Sequence, residues 1–223
     1  MTAVPMPVDT RAHRALVARR WIICVAALLT VIPLCIVFVD RAIASFAFEN
    51  LRAQRKLFDA LTHIVDPFHA FASLMLLWTL FQIARGKTLS QIEDVLLRLA
   101  LSVAAAVMIK DQLKYAFGRT WPETWVQNNP SFIKDGVYGF FPFHGGQGWY
   151  AFPSGHTTVI CAATAVLWMR WPRTRPLCVA MALAVVVGLI GADYHWISDI
   201  CAGAALGIAV GVVAANFGLR KPA

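Results

Sequence analysis

His195 and Asp199 lie four residues apart at the start of an apolar run. On a helix that spacing puts both side chains on one face. A carboxylate so placed can hold one imidazole nitrogen and leave the other free as a nucleophile. A second cluster, Pro153-Ser154-Gly155-His156, opens another apolar run. Ser154 is a suitable N-cap, and the free backbone N–H groups after it form an anion site at a helix N-terminus. His156, in the first turn, is placed to act as a general acid. A third cluster runs from Lys114 to Pro122. Its Lys114 and Arg119 supply fixed positive charge for phosphate oxygens. Together the clusters describe phosphoryl transfer with no metal and no cofactor. Lysine and arginine beside the site would repel a dication, and no third or fourth ligand is evident.

Singly, each cluster has a plainer reading. Lys110 and Lys114 also suit snorkelling anchors. Pro-Ser-Gly is an ordinary loop-to-helix junction. His-x-x-x-Asp also fits a helical hydrogen bond or half of a metal site. His63, His69 and His144 read as structural histidines.

The elements that must position these residues are apolar. Hydrophobic residues make up 59% of the 223, not counting 14 glycines, and charged residues only 14%. A soluble domain has about 45–50% apolar residues with glycine included and about 25% charged ones. The mean hydropathy of +0.63 agrees. This excludes a disordered chain, a disulfide scaffold and an ordinary soluble enzyme. Residues 1–223 read as one integral membrane domain. The net charge of +8 comes from basic residues between apolar runs, where they set topology and meet anionic headgroups. That placement argues against nucleic acid as a partner. The five cysteines fall inside apolar runs and read as small hydrophobes.

Six spans are expected: Trp21–Val39, Phe68–Ile83, Val95–Ile109, Thr157–Trp171, Pro176–Ala192 and Ile197–Phe217. The first is longer than the hydrophobic stretch of a cleaved signal and is read as retained. With the basic N-terminus, residues 1–20, in the cytoplasm, 12 of the 20 lysines and arginines lie inside and 8 outside. Arg220 and Lys221 are then inside. Residues 40–67 and 111–153 become outer interfacial segments, the first with an amphipathic helix through Phe58, Leu61 and Val65. Ser90 and Glu93 form a capping box that starts a helix near Gln91. That helix carries Lys110 and Lys114 to the outer face, where all three clusters meet. Gly203, Gly207 and Gly211 form a small-residue stripe, read as packing within the chain rather than a dimer seam.

The combination resembles the type 2 phosphatidic acid phosphatase superfamily, with its motifs Lys-x6-Arg-Pro, Pro-Ser-Gly-His and Ser-Arg-x5-His-x3-Asp. Pro153-Ser154-Gly155-His156 matches the second in full. His195 and Asp199 match the end of the third, and Lys114 and Pro122 the ends of the first. The resemblance covers roughly residues 95–217. It implies an all-α bundle of six transmembrane helices with its active site at the outer membrane–water interface. His195 would attack phosphorus to give a phosphohistidine, Asp199 would orient it, and His156 would protonate the leaving oxygen. Lys114 and the backbone at Ser154 and Gly155 would bind phosphate. Two arginines of the pattern are absent: Trp121 replaces one, and Gly188-Leu189 replaces the Ser-Arg pair. Arg119 is expected to supply part of the missing charge, with Lys110 the next candidate.

Twelve aromatics lie in the 38 residues from Tyr115 to Phe152. Such a segment suits either lateral admission of a lipid headgroup or interfacial anchoring. The implied activity is hydrolysis of a membrane lipid phosphate or diphosphate on the periplasmic face of a bacterial inner membrane. Phosphatidic acid, phosphatidylglycerophosphate, isoprenyl diphosphates and lipid A are candidate substrates. A lipid phosphotransferase and a non-catalytic lipid-binding relative are the alternatives.

Overall fold

The computed structural model describes residues 10–218. Arg220, Lys221 and the first nine residues of the basic N-terminus lie outside them. Helix α1 (Thr10–Leu34) runs through a π-helical turn at Cys35–Val39 into α2 (Asp40–Asn50). Pro33, which withdraws one backbone donor, stands just before that change of pitch. Next come α3 (Arg55–Thr62), α4 (Asp66–Ala84), α5 (Gln91–Phe117) and the short α6 (Phe132–Asp135). Then follow α7 (Gly155–Arg170), α8 (Arg175–Gly191) and α9 (Ile197–Asn216). The described residues form no β-strand, only isolated bridges.

Among the described residues, four helical stretches are long and apolar enough to cross a membrane: Trp21–Asn50, Arg52–Ala84, Pro172–Gly191 and Ile197–Asn216. Of the six expected spans, those on α5 and α7 fall outside this set. Helix α7 has only 16 residues, and α5 carries charged residues at both ends. Exposed Leu29, Phe38, Leu74 and Leu183 clothe the outside of the bundle, a surface suited to lipid and not to water.

Helix α7 is the centre of the core: Val159, Ile160, Ala162, Ala163 and Val166 are fully buried. Helix α9 lies against it through the glycine stripe. A Cβ at Gly203, Gly207 or Gly211 would stand 2.5, 2.3 or 2.5 Å from the carbonyl oxygens of Ser154, Thr158 and Ala162. The stripe therefore serves close packing inside this chain.

Helix α5 begins where its capping box demands. The Ser90 hydroxyl accepts from the Glu93 N–H at 3.3 Å, and the Glu93 carboxylate accepts from the Ser90 N–H at 2.8 Å. It ends at Gly118, φ +57°, whose N–H donates to the Lys114 carbonyl at 2.9 Å. Only glycine fits there, since a Cβ would stand 1.8 Å from the Phe141 carbonyl oxygen.

The expected amphipathic helix forms as α3, with its apolar face turned inward. Phe58 and Leu61 seat on α8, where a Cβ at Gly191 would lie 2.3 Å from the Phe58 ring. The aromatic segment after α5 folds as a cap over the start of α9, not as a free flap. Trp121 Nε1 donates to the Gln147 carbonyl at 2.8 Å and Trp196 Nε1 to the Thr120 carbonyl at 2.7 Å.

Candidate active site

Three elements meet at one end of the bundle. The end of α5 brings Lys110 and Lys114, the start of α7 brings Gly155 and His156, and the turn before α9 brings His195. All five line one cavity of about 230 Å³, with Trp121 as part of its wall. The His156 and His195 rings stand 6.4 Å apart, centroid to centroid. Lys110 and Lys114 are one helical turn apart, and both stems pass over Gly155. A Cβ there would be 3.4 Å from Lys110 and 3.7 Å from Lys114. Two ammonium groups thus lie over a helix N-terminus, where backbone N–H groups favour an anion. The Lys114 ammonium also donates to the Tyr150 carbonyl.

His195 Nδ1 faces Asp199 Oδ2 at 3.2 Å. That oxygen also accepts from the Trp196 N–H at 3.2 Å, which fixes the carboxylate against the first turn of α9. Burial pushes the His195 imidazole below its ordinary value; Asp199 opposes this, and Lys114 and Arg119 add to it. A neutral imidazole at neutral pH follows, the state a nucleophile needs.

Two expected phosphate ligands are placed otherwise. The Ser154 side chain does not cap α7; its hydroxyl accepts from the Thr157 hydroxyl at 3.1 Å. The Ser154 N–H donates to the Asp199 carbonyl at 3.0 Å and is unavailable to an anion. Burial against Gly203 explains the change, because α7 and α9 touch there. Arg119 is fully buried and lines no part of the cavity. Its Nη1 donates to Asp199 and, at 2.6 Å, to the Ser198 hydroxyl. Its Nη2 donates to Asp40 at 2.7 Å and to the Tyr138 hydroxyl at 3.1 Å. The guanidinium stands behind the His195–Asp199 pair, away from the cavity. Burial opposes its charge, Asp199 and Asp40 favour it, and the balance lies above the ordinary guanidinium value.

The positions of the missing arginines are equally definite. Trp121 packs with its ring 4.8 Å from His195 and 5.4 Å from the Lys114 ammonium. Leu189 is fully buried in the core.

Sequence reasoning missed Asp66 and His69, which line the cavity, His69 having been read as structural, and it missed Asp40, buried behind the His195–Asp199 pair. Asp40 is 1% exposed. Its Oδ1 accepts from the Ser198 N–H at 2.9 Å, and its Oδ2 from the Ser198 hydroxyl and from Arg119. The available signal was an acidic residue directly ending a 19-residue uncharged run. Ionisable groups at such places are rarely idle.

Comparison with known proteins agrees with this geometry. A model of the PAP2 superfamily matches residues 95–222. A lipid A 1-phosphatase from Rhizobium etli is 26% identical over 191 residues, 82% of this chain and 78% of that one. Another lipid A 1-phosphatase, from Rhizobium johnstonii, is 30% identical over 104 residues, 47% of this chain and 40% of that one. A transmembrane PAP2-type phosphatidylglycerolphosphate phosphatase from Bacillus subtilis shares the fold, with a TM-score of 0.55 at 15% identity. The match covers 86% of this chain and 94% of that one.

Proposed function

The chain belongs to the PAP2 superfamily, and on that premise we propose that it hydrolyses a lipid phosphate through a phosphohistidine. One observation carries the reading. His195 is held by Asp199 on one nitrogen and opens on its other side into a cavity shared with His156, Lys110 and Lys114. The phosphate would lie over the start of α7, between the two ammonium groups and the N–H groups of Gly155 and His156. His195 Nε2 attacks phosphorus, the bond from phosphorus to the lipid oxygen breaks, and His156 gives that oxygen its proton. Water then loses a proton to His156 and attacks the phosphohistidine. Inorganic phosphate leaves and His195 is regenerated.

In this reading α5 and α7 join the four apolar stretches to make six spans, with the cavity at the periplasmic face of a bacterial inner membrane. The two relatives named for lipid A favour a lipid A 1-phosphate substrate. Phosphate release from vesicle-borne lipid A, phosphatidylglycerophosphate and phosphatidic acid tests this, with His195→Ala as control. Release from lipid A by the parent and not by the variant supports it. Phosphate loss only with an added acceptor lipid would make the protein a phosphotransferase. Binding without turnover would make it a non-catalytic relative.

A further inference from the structure

Asp40 and Asp199 share one guanidinium inside a sealed volume. Arg119, Asp40, Asp199 and Ser198 are each at most 1% exposed. Bulk solvent does not reach these charges, so each strongly influences the others. Formally the group holds two negative charges and one positive. Were Asp40 absent, Arg119 would neutralise Asp199 alone, and the carboxylate facing His195 would lose much of its effect.

The growing bond between His195 Nε2 and phosphorus puts positive charge on the imidazole. Asp199 is the carboxylate in contact with that ring. Its power to stabilise the charge depends on how completely Arg119 cancels it, and Asp40 takes part of Arg119 away. We propose that Asp40 is a positioning residue of the reaction, acting through Arg119 to keep the charge behind His195 net negative and Asp199 aimed at the ring. The proposal rests on the phosphatase reading above. It brings the first apolar run, outside the 95–222 match, into the chemistry. It also gives Arg119 a role that is not phosphate binding.

The charged and titratable groups around His195 are Asp199 on α9, His156 on α7, Lys110 and Lys114 on α5, Asp66 and His69 on α4, and Arg119 in the segment after α5. Only the charge at Asp40 changes in Asp40→Asn. Losing a negative charge disfavours the imidazolium, so the His195 titration in detergent-solubilised protein, followed by NMR with labelled histidine, should move about one unit lower. On vesicle-borne lipid phosphate, kcat should fall about tenfold with KM unchanged. The double variant Asp40→Asn/Arg119→Gln restores the net charge of the group and should regain most of the kcat and titration lost in Asp40→Asn.

An unmoved titration with parent kcat overturns the proposal. So does a loss confined to KM, or a double variant no better than Asp40→Asn. The last result would mean that Arg119 matters for something other than the charge balance with Asp40. If the parent shows no turnover, the phosphatase reading fails, and the titration still decides the coupling. If Asp40→Asn does not remain folded, Tyr138→Phe removes the half-buried hydroxyl shared by Arg119 and Asp40. A several-fold lower kcat at parent KM then supports the proposal, and parent kcat overturns it.

Discussion

His195 has two unlike sides. Toward the cavity stand Lys110, Lys114 and His156, gathered over a helix start, with Asp66 as a carboxylate of the cavity wall and Asp111 paired to Lys110. Toward the bundle stand Asp199, Arg119, Asp40 and Ser198, where nearly every polar atom has a partner; the Arg119 Nε alone is buried without one. On the open side the two lysines converge on the N-terminus of α7, where an anion is favoured. The closed side already contains its own anions. The basic residues of a single motif, Lys114 and Arg119, are divided between the two sides. Five residues of separation and the turn at Gly118 send one into the cavity and the other behind it.

The largest test of this contrast is His195 itself. His195→Ala should reduce phosphate release to background while the protein stays monodisperse in detergent, because the attacking atom is gone and little packing is lost. Next comes the open side. Lys114→Ala removes a charge-assisted hydrogen bond of about 1.5–3 kcal/mol, or roughly 10- to 150-fold in kcat/KM. Lys110→Ala should cost less and act mainly on KM, the reverse of the pattern expected for Asp40→Asn. If Lys110→Ala matched the parent in kcat/KM and Arg119→Gln raised KM alone, the division of roles would be inverted.

A smaller effect is expected where α9 meets α7. Gly207→Ala places a methyl group 2.3 Å from the Thr158 carbonyl oxygen, and overpacking of this kind costs about 1–3 kcal/mol. Gly145→Ala, with nothing within 4 Å, should leave the melting temperature unchanged. The two melting curves measured together check that the stripe serves packing.

The smallest effect concerns Asp193, two residues before His195. Its Oδ2 is buried without a partner. Burial, reinforced by Glu123, pushes its carboxyl up to about 7. The folded protein therefore holds a proton there that the unfolded chain releases near pH 4. Stability from this group is full at low pH and falls as pH rises toward 7. Asp193→Asn should raise the melting temperature at pH 8 by about 2–4 °C, the shift for ~1 kcal/mol in a chain of this size. The two proteins should converge near pH 4. A difference that persisted at pH 4 would mean that the Asp193 charge is not the cause.

Local patterns were readable in advance. The Ser90–Glu93 capping box starts α5 at Gln91, and the four-residue spacing of His195 and Asp199 produces their contact. Pro-Ser-Gly-His opens α7, and Gly155 and His156 reach the cavity with Lys114. Each depends on residues close in sequence, so a local pattern is enough to decide it, although His195 meets Asp199 from the turn before α9 and not along a helix face. The four long apolar stretches follow from hydropathy for the same reason.

Other features needed the assembled bundle. Whether Arg119 meets substrate or Asp199 depends on how the segment after α5 crosses the start of α9. Asp40 meets Ser198 across 158 positions of sequence, a pairing no local pattern encodes. Leu189 is a core residue because α8 packs it into the cluster around α7, and Ser154 gives up its capping role because Gly203 lets α9 lean on it. Composition and spacing alone determined that this is a membrane chain with a histidine–carboxylate pair and a cationic helix start. Only the tertiary structure decided which charges face the cavity and which are sealed behind it. Burial and pairing of ionisable groups depend on what every other helix places beside them, and that is a property of packing.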